Sequence, residues 1–102
     1  MKFLILGVGF LGGKLLNDLS DKFDVVGADI KPKNIVVKKI DATIPLEIEN
    51  FFLQETPDVV INTIALSSYY ACEIDPELCR KLNFKSAKNI AKACRKVNAK
   101  MV

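Results

Sequence analysis

Histidine is absent from this 102-residue chain, and cysteine is scarce, present only as Cys72, Cys79 and Cys94. Without histidine a mixed Cys/His zinc site is excluded, and three thiolates leave an all-cysteine site one ligand short, so no metal is expected. The same absence leaves Ser67 and Ser68 without an imidazole to activate them as nucleophiles. Charge of one sign is modest too. Fifteen Lys and Arg against twelve Asp and Glu give a net charge of +3, too small to mark a nucleic-acid binder. The basic residues scatter except in KPKNIVVKK (Lys31–Lys39). No aromatic residues interleave there as base stacking requires, so it reads as solvated loop and strand edge. Long apolar runs are also missing. None approaches the ~18 residues of a membrane span, and the first residues lack the basic flank and small-residue cleavage site of a secretory signal. Neither nucleic acid nor membrane is therefore an expected partner. Three cysteines without paired spacing suit free thiols in a reducing cytoplasm, with Cys79 and Cys94 packed among helix-patterned residues.

Half the residues are hydrophobic and a quarter charged, which suits one soluble domain over residues 1–102. Repeats, low-complexity tracts and linkers are lacking. KFLIL (Lys2–Leu6) is a continuous apolar run ending at Gly7, the pattern of a strand buried on both faces. Leu11, Leu15, Leu16 and Leu19 then recur at helical spacing until Ser20 and Asp21. DVVGADI (Asp24–Ile30) and NIVVKKI (Asn34–Ile40) predict two more strands. Pro45 suits a first helical turn, followed in register by Ile48, Phe51, Phe52 and Glu55. PDVVINTIA (Pro57–Ala65) predicts a fourth strand. The stretch from Asp75 to Asn98 reads as one long helix, capped by Asp75 and striped by Leu78, Leu82, Ile90, Ala91, Cys94 and Val97. AKMV opens a fifth strand. The order β-α-β-β-α-β-α-β predicts an α/β fold, a Rossmann-type doubly wound parallel sheet truncated after the start of its fifth strand. A sheet cut there leaves an unpaired apolar edge, so the chain is expected to form homo-oligomers.

The sharpest motif is ILGVGFLGGKLL (Ile5–Leu16), with Gly7, Gly9 and Gly12 spaced G-x-G-x-x-G. Such a pattern by itself marks either a phosphate cradle or a plain tight turn. Context favours the cradle. The glycines directly follow a predicted strand and open a predicted helix, where free N–H groups and the positive end of the helix dipole favour a pyrophosphate. Gly7 makes the turn, Gly9 admits the phosphates, and Gly12 lets helix and strand pack closely. Asp29 ends the second strand, near the ~20-residue offset of the acid that grips an adenosine ribose. Such a carboxylate repels a 2′-phosphate, so NAD is favoured over NADP, although Lys31 and Lys33 stand close enough in sequence to neutralise that phosphate.

Hydroxy-acid dehydrogenases and ligand-gated regulatory domains share this opening, and the second half separates the candidates. PDVVINTIALSSYYACEIDPELCRKLNFKSAKNIAKAC (Pro57–Cys94) resembles the segment P-D-V-V-I-N-x-A-A … C-E … P-E … N … N-I-A-x-A of extended short-chain dehydrogenases. It looks most like the dTDP-4-dehydrorhamnose reductase branch, through Cys72-Glu73, Pro76-Glu77 and Asn83, and the resemblance covers the whole chain. By position it implies that Gly9, Phe10 and Leu11 lie over the pyrophosphate and that Asp29 and Ile30 meet the ribose. It places Asp41 and Ala42 beside the adenine, and Ala65, Leu66 and Ser67 along the nicotinamide half. Asp41 also reads as a loop-capping residue before Pro45, and Ala65 as ordinary packing. Three features depart from the family. Its glycines are usually G-x-x-G-x-x-G, one residue longer; Tyr70 replaces a common acid; and Ser86 replaces a common glycine.

The resemblance implies NAD(P)-dependent reduction of a nucleotide-linked 4-keto-6-deoxy sugar. Ketone reduction also needs an acid for the developing alkoxide and a donor that polarises the carbonyl. The family takes these from a Ser/Thr and a Tyr-x-x-x-Lys pair. Here Tyr69 and Tyr70 are followed four residues on by Glu73 and Ile74, so these 102 residues carry no catalytic pair. Glu73 and Glu77, one helical turn apart, read as solvated surface. The expectation is thus the cofactor-binding half of a reductase. The alternatives are a non-catalytic dinucleotide-binding regulatory subunit, or a sugar-nucleotide epimerase or dehydratase.

Overall fold

The computed structural model describes residues 1–30, 32, 37–64 and 73–102. Strand β1 (Lys2–Leu6) leads to helix α1 (Phe10–Ser20), β2 (Asp24–Asp29) and the short β3 (Lys38–Lys39). Helix α2 (Pro45–Glu55) and β4 (Val59–Asn62) follow. A helical stretch then begins as α3 (Pro76–Arg80), continues as a π-helical segment (Lys81–Lys85) and ends as α4 (Ser86–Val97), before β5 (Lys100–Met101). The five strands form one parallel sheet in the order β3-β2-β1-β4-β5.

β1 lies at the centre, which explains its unbroken apolar sequence: Leu4, Ile5 and Leu6 are fully buried. Alternation sends Leu4 and Leu6 to one face and Ile5 to the other. On the first face, Leu4 and Leu6 join Ala28, Ile48, Phe52, Val60, Ile90 and Cys94 in a core closed by α2 and α4. On the second, Ile5 is in register with Gly27 of β2, and α1 packs there. A Cβ on Gly27 would meet Leu16 Cδ2 at 3.1 Å, so the bare glycine lets the helix settle onto the sheet. From β1 the chain steps outward to β2 and β3, then crosses back to β4. The carboxyl end of β1 is therefore the topological switch point, where open α/β sheets carry their ligands.

The helix ends follow local chemistry. Asp75 Oδ1 accepts from the Leu78 N–H at 3.0 Å, capping α3. Thr56 (φ +45°) and Asn98 (φ +60°) close α2 and α4 in the left-handed region, and Arg95 and Lys96 complement the dipole of the last turn of α4. Where the sequence predicts one uniform helix over 75–98, the π-helical segment interrupts it. Leu78, assigned to the apolar stripe, lies before that segment and is 44% exposed. The expected third strand over 34–40 is described only at its end, because residues 33–36 lie outside the described set. Cys94 is free and buried as packing. Cys79 corrects the free-thiol expectation: it is disulfide-bonded and sits half-buried on the short α3, whereas Cys94 is buried in the core.

Candidate functional site

At the switch point the glycines build a turn that other residues could not. Gly7 sits at φ +86°, and its N–H donates to the Ala28 carbonyl at 2.8 Å. A Cβ there would lie 2.9 Å from both Ile64 N and Thr63 Oγ1. Gly12 is buried on the first turn of α1, where a Cβ would collide with the Gly7 carbonyl oxygen and approach Thr63 Oγ1 to 2.8 Å. Gly9 differs from both, because a Cβ on it would meet nothing within 4 Å. Its bareness leaves open space at the mouth of the turn.

Gly9 is also the N-cap of α1. It offers no side-chain cap, and the first turn contains no acid. The N–H groups of Phe10, Leu11 and Gly12 have no acceptor inside the helix, and nothing in that turn offsets the positive dipole end. Thr63, just past β4, fastens this turn from below. Its hydroxyl bridges the carbonyls of Leu6, at 3.0 Å, and Gly7. Asp29, at the end of β2, fastens it from the side by accepting the Val8 N–H on Oδ2 at 2.8 Å.

These residues open onto a cleft of about 250 Å³, lined by Gly7, Gly9, Asp29 and Ile30 on one side. Ile40, Asp41, Ala42 and Thr43 form an adjoining wall just past β3, and Thr63, Ile64 and Ser86 complete the lining. Hydrogen bonds hold this wall. Asp41 Oδ1 accepts from both the N–H and the hydroxyl of Thr43, at 2.9 and 2.6 Å. Glu47 Oε1 accepts the Asp41 N–H at 2.9 Å, and the Ile40 N–H reaches the Asp29 carbonyl at 2.9 Å. Ser86 is fully buried. Among the described residues no group of three or more His, Cys, Asp or Glu is placed to hold a metal.

Gly7, Gly9, Asp29, Ile30, Asp41 and Ala42 thus line one cleft. Phe10, Leu11 and Gly12 form the helix turn beside it, with Leu11 60% exposed. Ala65, Leu66 and Ser67, the expected nicotinamide side, lie outside the described residues, as do Lys31 and Lys33. Sequence reasoning missed Thr63, Thr43 and Ile64. A threonine at the end of an apolar strand, facing a glycine turn, was the available signal for Thr63. Ser86 stood out only as a departure from glycine; a serine midway between Leu82 and Ile90 on the apolar stripe could have marked it as an inward residue.

The fit to a dinucleotide rests on this geometry: open space over Gly9, uncapped N–H groups behind it, and an acid at the end of β2. The chain matches the family model of the RmlD substrate binding domain over residues 1–102. No curated protein matches it. Among solved structures it is similar to a dTDP-4-dehydrorhamnose reductase from Clostridium acetobutylicum, at 33% identity and a TM-score of 0.85 over 99% of this chain and 34% of that one. A hypothetical dTDP-4-dehydrorhamnose reductase from Sulfolobus tokodaii is 29% identical, with a TM-score of 0.86, over 99% of this chain and 37% of that one. UDP-glucose 4-epimerase from Thermus thermophilus, solved with NAD, is 25% identical with a TM-score of 0.87, over 97% and 35%. The chain therefore spans about a third of the length of these relatives. Matched from its first residue to its last, it belongs to the RmlD substrate binding domain family.

Proposed function

We propose that this chain is the cofactor-binding part of an NAD(P)-dependent reductase acting on a nucleotide-linked 4-keto-6-deoxy sugar. The observation that carries the reading is the space over Gly9, backed by an α1 N-terminus with no cap and no acid. A pyrophosphate there would meet N–H groups of Phe10, Leu11 and Gly12 and the favourable end of the helix dipole. Asp29 and Ile30 would receive the adenosine ribose, and Asp41 and Ala42 the adenine. Ala65, Leu66 and Ser67 remain assigned to the nicotinamide half by sequence position. Bound there, the nicotinamide would supply the hydride; the residues of this chain bind and orient it.

NAD is the favoured form, because the Asp29 carboxylate, already fixed by Val8, would lie where a 2′-phosphate adds negative charge. By the same reading the substrate is a nucleotide sugar and the chain forms homo-oligomers. Among the described residues no helix is long and apolar enough to cross a membrane. A cytoplasmic location fits access to nicotinamide cofactors. The Thermus epimerase, with NAD in its structure, supports a second reading as part of an epimerase.

Calorimetric titration of the chain with NADH and NADPH tests the proposal. NADH binds more tightly, and the difference collapses in Asp29→Asn, which keeps an acceptor for Val8 but loses the charge. Tighter binding of NADPH refutes the cofactor preference, and binding of neither refutes the site. Turnover of a keto-sugar by these 102 residues alone contradicts the division of labour.

A further inference from the structure

The wall formed by Asp41, Ala42 and Thr43 belongs to a connection between β3 and α2, and most of its ties are local. Glu47 holds it from the following helix, Asp41 and Thr43 hold each other, and Ile40 is held by the adjacent strand. One tie comes from far along the chain. Asn89 Nδ2 donates to the Ala42 carbonyl at 2.9 Å across a separation of 47 residues. Asn89 lies on α4, one helical turn beyond Ser86, which lines the same cleft. The helix thus lines the cleft through a buried serine and, through the Asn89 amide, ties a residue of the cleft's wall.

We propose that Asn89 is a positioning residue for the adenosine half of the bound dinucleotide: by holding Ala42 it fixes Asp41 and Thr43 at the distance from Gly9 and Asp29 that an adenosine spans. This rests on the reading of the cleft as a dinucleotide site. A merely structural role would be different in kind. Loss of the Asn89 tie would then lower overall stability and weaken every ligand alike. The positioning role predicts a loss confined to one half of the site, because the glycine turn is fastened separately by Thr63 and Asp29.

The test measures two probes by amide-resonance titration: AMP for the adenosine half and inorganic pyrophosphate for the glycine turn. Asn89→Ala removes the donor. Asn89→Asp keeps the side-chain shape but sets an acceptor against the Ala42 carbonyl, and it carries the test should Asn89→Ala fail to fold. Both variants weaken AMP by about five- to tenfold, the scale of one lost hydrogen bond, and leave pyrophosphate within about twofold. Unchanged AMP binding, or equal weakening of both probes, overturns the inference while leaving the site intact. Wild-type chain that binds neither probe overturns the dinucleotide reading itself, and this inference with it.

Discussion

Replacing Gly12 by alanine adds one methyl group where α1 meets the glycine turn most closely. Its Cβ would fall well inside the Gly7 carbonyl oxygen, 2.8 Å from Thr63 Oγ1 and 3.0 Å from the Gly7 carbonyl carbon. None of these can swing aside as the tip of a long side chain does. Gly7 is backbone held at φ +86° and hydrogen-bonded to Ala28, and Thr63 is tied to the Leu6 and Gly7 carbonyls. To reach ordinary van der Waals distance, α1 and the turn must separate by roughly 1.5 Å, and overpacking of this kind costs about 1–3 kcal/mol or more. With so little room to relax, a loss near 3 kcal/mol is expected, which lowers Tm by about 12–24 °C in a domain of this size. Thermal unfolding followed by circular dichroism reads it directly. Two neighbours are controls. Gly13→Ala meets only Val8 Cγ1, at 3.8 Å, and should stabilise α1 by about 0.5–1 kcal/mol. Gly9→Ala meets nothing, so Tm should stay within about 2 °C, while the methyl fills the space reserved for phosphate and abolishes NADH binding. A Gly12→Ala chain that melts with the wild type would refute this packing argument.

Three further outcomes follow from the same geometry. Thr63→Val removes the hydroxyl that joins the Leu6 and Gly7 carbonyls; urea unfolding should show a loss of about 1–3 kcal/mol that Thr63→Ser largely restores. Phe52→Ala empties a fully buried site between α2 and the sheet and should cost about 3–5 kcal/mol, measured the same way. Burial pushes the Cys94 thiol above its ordinary range. Above about pH 8.5 the unfolded chain therefore gives up a proton that the folded chain keeps, and this thiol makes stability fall as pH rises. The decline in Tm between pH 8 and 10 should be shallower in Cys94→Ala than in wild type.

The sheet was readable because its signals were one-dimensional. Continuous apolar runs in β1 and β4, and Pro45 before a helical stripe, each have one physical solution. The π-helical segment was not readable: Leu78 and Leu82 keep α-helical spacing, and nothing in Lys81–Lys85 announces the wider turn. The glycine turn and Asp29 were legible because backbone conformation and strand-end position are written locally. Thr63 and Asn89 were not. Their roles depend on carbonyls 57 and 47 residues away, and only the completed fold brings those groups together. The Cys79 disulfide escaped for a related reason, since spacing alone does not say which thiols meet.

The central claim is that backbone amides at the β1–α1 junction receive a diphosphate. An amide-resolved titration of the isotope-labelled chain with NADH tests this most directly. The account predicts saturable shifts at Val8, Gly9, Phe10 and Leu11, with a second cluster at Asp41 and Ala42. Saturating NADH and NADPH that leave the junction amides unmoved would contradict it.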